Sequence, residues 1–329
     1  MHQTEQKDRP SIPAAQTPRL STVGNRIIAS TASGKIYLGQ QGSMHWDIIP
    51  LPGGDSVFSQ CAKDSSAYFG TRTSGRVWQF TFPSMTWTNL QIGTVGKFEI
   101  DYVVPWLNGF SFMAYNLSTG SVNASSGNLG SWQDISKGWP QSDDATSAFA
   151  LDTTLYATTY QTGLWRRSTS DTSWHMVPNA IYYEKYVNDS VNPTPMNHPR
   201  ALAWYHGNLW MGNLYFGQIF HMTGTDTPWV SVSQQIVGTG IQPLPIDFAP
   251  LTMFVWKDRL FVAGSPPTPM VLKEGVGWEL MSQNFGKSVD GSSSICGENY
   301  TLAFAAIGDT LYAGGCGHVL KLPASQVPQ

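Results

Sequence analysis

The amino-acid sequence predicts an all-β protein, a β-propeller of seven blades with four antiparallel strands each; six blades are the alternative count. A strand–turn–strand phrase occurs in seven copies, and a tryptophan follows six of them. Turn signals separate the short apolar runs, and helical periodicity is missing. The six tryptophans are spaced 41, 45, 42, 55 and 49 residues apart, within or near the range for one propeller blade. They lie at Trp46, Trp87, Trp132, Trp174, Trp229 and Trp278.

Each copy begins with a polar turn pair and an apolar-aromatic run, continues through a loop that usually holds glycine, and reaches a short apolar strand. The sixth copy, KDRLFVAGSPPTPMVLKEGVGWELM, shows this order and ends in its tryptophan strand. Another strand precedes most copies, as in LAFAAIG and LAWYHG, which makes four strands per unit. The tryptophans are expected to pack between blades, because aromatic side chains bury the largest area per residue.

The seventh copy, GDTLYAGGCGHVLKL, lacks the tryptophan strand. A propeller ring must close, because an open last blade leaves an exposed strand edge. Residues 1–17 are the candidate ring-closing strand, and their prolines suit an outermost position. The predicted organisation is therefore an N-terminal segment at 1–17, a single propeller domain at 18–324 and a tail at 325–329.

Composition limits the function classes. Charged residues make up 12% of the 329, against about 25% in typical soluble domains, and the net charge is −3. These values predict no nucleic-acid partner and no attraction to an anionic membrane surface. No apolar run reaches the roughly 18 residues of a membrane helix. The polar N-terminus has no signal-peptide core, as would also be the case if a signal had already been removed. The expectation is a secreted protein, with a cytoplasmic location as the alternative.

Loop lengths predict where a site lies. In a propeller, the connections between blades share one face, here called the upper face, with the loops between second and third strands. The links PLPGGDS and QIGTVGKFEIDYV join blades 1 to 2 and 2 to 3, and three longer connections follow between blades 4 and 7. Long loops in compact domains are often functional.

The upper loops carry aromatic and mixed-polar side chains, which are typical of a small-molecule pocket. The alternative is that these loops pack on one another and that their charges are solvated. The residues predicted to polarise or orient a substrate are Arg200, His198, Tyr182, Tyr183 and Tyr300. The residues predicted to contact the substrate are Tyr160, Tyr215, Phe216, Asp247, Phe248 and Glu298.

Cys296 and Cys316 are both predicted on the upper face, where a disulfide between them would hold the last long loop. Two free thiols are the alternative. Cys61 lies in an apolar inner strand and is expected to be a buried small hydrophobe. Sequons that permit glycosylation of a secreted chain lie at Asn116, Asn123, Asn188 and Asn299.

Familiar catalytic motifs are missing from the sequence. No CxxC or Cys/His cluster occurs, so no metal is predicted. No nucleotide-binding or hydrolase signature occurs in a credible context, so no cofactor is predicted. The segments STSDTSW and TGTDTPW resemble the Asp-box turns of sialidase-like propellers, although they lack the glycine of that motif. This resemblance supports the fold and implies no sialidase activity.

The copies agree at core positions and differ in their upper loops, which favours one asymmetric site over the repeated sites of a lectin. The chain resembles secreted fungal propeller proteins of specialised metabolism, including hetero-Diels–Alderases of tropolone-sesquiterpenoid biosynthesis. The resemblance spans the whole chain and involves no shared motif. It implies a cofactor-free cycloaddition of a small, largely apolar natural product, by orientation of the reactants and polarisation of a carbonyl. A carbohydrate-binding lectin with a glycan ligand is the second hypothesis, and a protein-interaction propeller is the third.

Overall fold

The computed structural model describes most of the β-strands and part of the connecting loops. The described residues are 19–31, 34–41, 46–71, 74–90, 99–107, 109–116, 119–125, 132–140, 145–159, 162–177, 199–213, 219–223, 229–231, 249–265, 269–273, 277–281, 301–315 and 318–327. No helix in these ranges is long and apolar enough to cross a membrane.

The described strands form seven antiparallel sheets in chain order, six with four strands and the last with three. Sheet 1 holds β1 (Arg19–Val23), β2 (Arg26–Ser30), β3 (Lys35–Gln40) and β4 (Trp46–Pro50). Sheet 2 holds β5 (Val57–Lys63), β6 (Ser66–Thr71), β7 (Val77–Thr81) and β8 (Thr86–Leu90). Sheet 3 holds β9 (Glu99–Trp106), β10 (Gly109–Asn116), β11 (Thr119–Ser125) and β12 (Trp132–Asp134). Sheet 4 holds β13 (Ala145–Leu151), β14 (Thr154–Thr159), β15 (Gly163–Ser168) and β16 (His175–Met176).

Sheet 5 holds β17 (Pro199–Tyr205), β18 (Asn208–Asn213), β19 (Ile219–Thr223) and β20 (Val230–Ser231). Sheet 6 holds β21 (Ala249–Trp256), β22 (Arg259–Ser265), β23 (Met270–Lys273) and β24 (Gly277–Leu280). Sheet 7 holds β25 (Thr301–Ile307), β26 (Thr310–Gly315) and β27 (His318–Pro323). The prediction of an all-β propeller with four-stranded blades is confirmed, with six complete blades in the described residues. The predicted ring-closing strand at 1–17 lies outside them.

The sheets form a ring around a central channel. The first strand of each sheet contacts the first strand of the next, and β25 contacts β1. These seven first strands are the inner strands. Each inner strand begins on the upper face and ends on the lower face in a tight turn, where residues such as Asp152 and His206 adopt positive φ. Positive φ is what the two-residue turns of hairpins require.

Seven hydrophobic clusters of described residues lie between neighbouring sheets and form the core. Six of them include one of the spaced tryptophans, always from the later sheet of the pair; Trp278, between sheets 5 and 6, is 1% exposed. The prediction that these tryptophans pack between blades is therefore confirmed. The cluster between sheets 6 and 7 has no such tryptophan. It includes Val327, which follows a short 3-10 turn at Ala324–Gln326 and is 5% exposed.

In the segment STSDTSW, the side chain of Asp171 holds the turn that follows β15. The backbone N–H of Ser168 donates to Asp171 Oδ2 at 2.8 Å. Hydrogen bonds from Ser168 lower the pKa of the Asp171 carboxyl. The turn positions Trp174, whose Nε1 donates to the carbonyl of Ile135 at 3.0 Å across the junction with sheet 3. The turn and Trp174 therefore hold sheets 3 and 4 together.

Candidate functional site

The inner strands share an irregularity near their upper ends. In six of the seven, one residue has no partner in the register with the second strand, which defines a β-bulge. A bulge bends the strand and re-aims a side chain. The residues at the bulges are Phe58, Asp101, Thr146, Arg200, Leu251 and Leu302. We call the upper end of the channel, with the bulged residues and Arg19 at the start of β1, the channel mouth.

Side chains link the upper ends of consecutive inner strands, and we call these links the upper belt. Each side chain donates a hydrogen bond to a backbone carbonyl of the next inner strand, where a bulge leaves backbone groups without ladder partners. In ring order the bonds run from Arg19 Nη1 to Val57 at 3.2 Å, Ser59 to Ile100 at 2.8 Å, Tyr102 to Thr146, and Thr146 to Pro199. The belt spans the junctions from sheet 1 to sheet 5.

Three of the four belt donors share one register position. Arg19, Ser59 and Tyr102 lie opposite Ser30, Gly70 and Met113 in their sheets. In sheets 5 and 7 this position is Ala201 and Ala303, opposite Gly212 and Gly314. Alanine has no donor in its side chain, so this position cannot extend the belt from sheet 5 to 6 or from sheet 7 to 1. A Cβ on Gly212 would lie 2.7 Å from Pro250 Cβ, so sheets 5 and 6 meet there by close packing.

Three links on the lower face occupy the other junctions, and we call these three the lower clasps. On the same face Lys63 donates to the carbonyls of Leu107 and Gly109 between sheets 2 and 3, at 3.1 and 3.2 Å. His206 Nε2 lies 2.7 Å from Asp258 Oδ1 between sheets 5 and 6, and Lys257 pairs with Asp309 between sheets 6 and 7. Gln41 Nε2 donates to the carbonyl of Ile307 at 3.3 Å between sheets 7 and 1. Each junction without an upper-belt bond in the described residues therefore has a lower clasp.

Charged residues from three sheets converge at the channel mouth around Tyr102. Burial raises the pKa of Tyr102 to about 12; Arg200 opposes the rise, Asp101 adds to it, and Arg19 opposes it. Arg19, Asp101 and Arg200 lie in the first three residues of the inner strands of sheets 1, 3 and 5, so they act on one phenol from different parts of the ring. Two guanidinium groups and one carboxyl group of the described residues therefore act electrostatically on this phenol.

Contacts hold two members of the cluster in place. The Cζ atom of Arg19 lies 5.1 Å from the ring centroid of Phe58, in the range of a cation–π contact. Tyr102 donates its only hydroxyl proton to the carbonyl of Thr146. A phenol is protonated at neutral pH, and the raised pKa of Tyr102 extends that state to higher pH. Tyr102 therefore links two sheets through its hydroxyl group. Among the described residues of the channel mouth, Arg19 and Arg200 are the charged hydrogen-bond donors.

Of the residues predicted to polarise, orient or contact a substrate, Arg200 lies in the described ranges, as the bulged residue of β17. The others lie outside them: His198, Tyr182, Tyr183, Tyr300, Tyr160, Tyr215, Phe216, Asp247, Phe248 and Glu298. Cys296, Cys316, Asn188 and Asn299 also lie outside. Asn116 ends β10 and Asn123 lies within β11. Glycosylation and the disulfide stay predictions.

The structure adds Arg19, Phe58, Asp101 and Tyr102 to the site. The sequence QIGTVGKFEIDYV was expected to be the connection between blades 2 and 3. In the structure its last residues belong to β9, which begins at Glu99 and includes Asp101 and Tyr102. The apolar and polar residues of this stretch alternate, and that pattern is the signal for a strand.

Cys61, on β5, is a free cysteine, and burial raises the pKa of its thiol. In the described ranges, no three His, Cys, Asp or Glu side chains group as metal ligands.

Comparisons with known proteins support the class of protein, a β-propeller. No family model matches the chain, and no curated protein matches its sequence. A solved structure of YCF48 bound to D1 peptide is 11% identical with a TM-score of 0.70, over 95% of this chain and 94% of that one. A catalytically inactive virginiamycin B lyase from Staphylococcus aureus with quinupristin is 13% identical with a TM-score of 0.66, over 98% and 97%. At such identities the likeness shows the fold alone, and it gives no support to the resemblance to fungal hetero-Diels–Alderases.

Part of a larger protein also matches. The extracellular domain of the putative one component system BT4673 from B. thetaiotaomicron is 10% identical with a TM-score of 0.68. The match covers 97% of this chain and 40% of that one. Propellers of this shape therefore occur alone and within longer chains.

Proposed function

We propose that this chain is a ligand-binding propeller and that the channel mouth binds a small, largely apolar molecule. The observation that carries the proposal is the β-bulge repeated in six inner strands. Bulges are frequent next to active sites because they re-aim side chains. The bulged residues differ in chemistry from sheet to sheet, with Phe58, Asp101 and Arg200 as the extremes. This difference supports one asymmetric site rather than equivalent sites in every blade.

The chemistry of the mouth supports an apolar ligand with few polar groups. Phe58 and Leu251 are partly buried and contribute apolar surface, and Arg19 and Arg200 contribute charged donors. Apolar walls with a few placed polar groups are typical of small-molecule sites. The ligands of two structural neighbours, D1 peptide for YCF48 and quinupristin for the lyase, are compatible with ligand binding by propellers of this fold.

The experiment is a fragment screen by ligand-observed NMR on the wild-type protein, followed by the same hits on variants. Phe58→Ala and Leu251→Ala remove apolar surface from the mouth. Leu107→Ala is the matched control, because Leu107 is 52% exposed in the turn at the lower end of sheet 3. We expect the hits to lose signal with both mouth variants and to keep it with the control. Hits that respond equally to all three variants would contradict the proposal, and so would a screen without hits.

A cofactor-free cycloaddition is the second candidate function, and the position of Arg200 favours it. Arg200 belongs to the residues predicted to polarise a substrate and is the bulged residue of β17. A guanidinium held there would donate hydrogen bonds to a carbonyl as charge develops on its oxygen. The test compares the rate of reaction between a diene and a carbonyl-bearing dienophile in buffer, with wild-type protein and with Arg200→Ala. A rate equal in all three reactions rejects this candidate and leaves ligand binding intact.

A further inference from the structure

Asn213 is a buried polar residue at the upper end of β18. It is 4% exposed, and its Oδ1 atom has no hydrogen-bond partner in the part of the chain that the structure describes. Native proteins satisfy the great majority of such atoms, because a buried acceptor without a partner has lost its hydrogen bonds to water and gained none in return. A donor is therefore expected at this atom.

Two threonines at the equivalent position show what Asn213 lacks. Thr71, Thr159 and Asn213 share one register position, opposite the residue that precedes the bulge of the inner strand. The Thr71 hydroxyl donates to the carbonyl of Arg76 and accepts from its backbone N–H, at 3.0 Å each. The Thr159 hydroxyl accepts from the backbone N–H of Thr162 at 3.2 Å. Both threonines thus bind the backbone next to the third strand of their own sheet, whereas the described residues give Asn213 Oδ1 no such bond.

Alternation along β18 aims Asn213 at the junction between sheets 4 and 5. Leu209 and Met211 belong to the hydrophobic cluster between these two sheets, and side chains two residues apart on a strand share one face. Gly212 faces the other way, against Pro250 of sheet 6. The amide of Asn213 therefore lies at the upper end of the junction between sheets 4 and 5, above its apolar cluster.

This point borders the channel mouth. Asn213 lies opposite Pro199, and neighbouring strands of a sheet are about 4.8 Å apart. The carbonyl of Pro199 accepts a hydrogen bond from Thr146, and Arg200 is the bulged residue that follows Pro199. Thr146 and Arg200 both belong to the mouth. Because the Thr146 hydroxyl donates to Pro199, the nearest donor of the upper belt already has an acceptor of its own.

We propose that Asn213 Oδ1 accepts a hydrogen bond from a hydroxyl or N–H group of the ligand at the channel mouth. The inference rests on the proposed function and names the polar group that the ligand presents. A site built this way selects between ligands, because a ligand without a donor leaves the buried acceptor unpaired. The ligand is therefore a largely apolar molecule that carries a hydroxyl or an amide N–H.

The test uses two probes with the same apolar part, 4-phenylbutan-1-ol and its methyl ether, titrated by ligand-observed NMR. The ether keeps the oxygen and cannot donate. We expect the alcohol to bind the wild type about fivefold more tightly, the usual effect of one neutral hydrogen bond. Asn213→Leu keeps the branched shape without the acceptor and should remove this preference. Asn208→Leu is the matched control, because Asn208 lies at the lower end of the same strand, where its Nδ2 donates to the carbonyl of His206 at 2.9 Å.

Thermal melts of the ligand-free proteins separate binding from a structural role. Removal of a buried acceptor that has no partner should leave the melting temperature of Asn213→Leu equal to that of the wild type or higher. Asn213→Thr introduces the residue type of sheets 2 and 4 and should also lose the preference. Lower melting temperatures in both variants would mean that Oδ1 is bonded in the free protein, to the chain or to a buried water, and would overturn the proposal. If Asn213→Leu alone melts lower, the probe preference of Asn213→Thr decides.

The probes themselves can also overturn the proposal. An alcohol and an ether that bind the wild type equally well refute the hydrogen bond and leave ligand binding standing. A preference that survives in Asn213→Leu refutes it as well. If neither probe binds, this inference fails, and the fragment screen decides separately whether the mouth binds ligands.

Discussion

Val327 takes part in the one inter-sheet cluster of the described residues that has no repeated tryptophan, and its truncation tests that role. The side chain is 5% exposed and packs with Phe261, Leu311 and Leu322 between sheets 6 and 7. Val327→Ala removes two methyl groups. At about 0.8 kcal/mol for each buried carbon, with a smaller term for the cavity left behind, we expect the free energy of unfolding to fall by about 2 kcal/mol.

The expected shift in melting temperature follows from the size of the chain. An unfolding entropy of about 2.1 cal/mol/K per residue gives about 0.7 kcal/mol/K for 329 residues. A loss of about 2 kcal/mol therefore lowers the melting temperature by about 3 °C. Differential scanning calorimetry measures this shift directly, and urea unfolding followed by circular dichroism gives the free energy with its slope.

The matched control is Val230→Ala, because Val230 is the same residue type and is 49% exposed on β20. Exposed substitutions of this kind usually change stability by less than about 0.5 kcal/mol. A Val327→Ala variant as stable as Val230→Ala would refute the reasoning. The Val327 side chain would then contribute nothing measurable to the junction between sheets 6 and 7.

Two further predictions concern the ring. Tyr102→Phe should lower stability at neutral pH by about 1 kcal/mol, through the lost hydrogen bond to Thr146. The pKa of Tyr102 is raised to about 12 in the folded state, so the wild type loses stability as pH rises above about 10, where the unfolded chain ionises first. Between pH 8 and pH 11 the free energy of unfolding of the variant should therefore fall by about 1 kcal/mol less than that of the wild type. Urea unfolding at both pH values measures the two decreases, and equal decreases would contradict this prediction. Deletion of residues 1–17 should lower the melting temperature, because it removes the segment predicted to pair with β27, and an unchanged melt would mean that sheet 7 has three strands.

The strands and the core were predictable from the sequence because both repeat. Leu311, Tyr312 and Ala313 were expected in a strand and lie in β26, and Val319 and Leu320 lie in β27. The inter-sheet tryptophans follow from the same repeat, since one position in each unit meets the neighbouring unit. Period-2 alternation and turn signals are local, so one sequence is enough to read them.

The channel mouth was not predictable in the same way. A bulge inserts one residue, and SVFSQCAK shows no mark of the extra residue at Phe58. The segment RPSIPAAQTPRL has the character of a proline-rich edge strand, so nothing local assigns Arg19 to the channel. Arg200 was predicted because it ends the longest connection. Convergence of Arg19, Asp101 and Arg200 needs the closed ring, which brings together residues far apart in sequence.

The upper belt and the lower clasps lie on different parts of the ring. The upper belt joins sheets 1 to 5 at the channel mouth, and the lower clasps join sheets 5, 6, 7 and 1 at the opposite end. The belt therefore fixes the part of the mouth that holds Arg19, Asp101 and Tyr102. The longest connections in the sequence, 178–198, 232–248 and 282–300, lie between strands of sheets 4 to 7. Hydrogen bonds thus hold the charged part of the mouth in place, and the connections that differ most in length and composition join the sheets from 4 to 7.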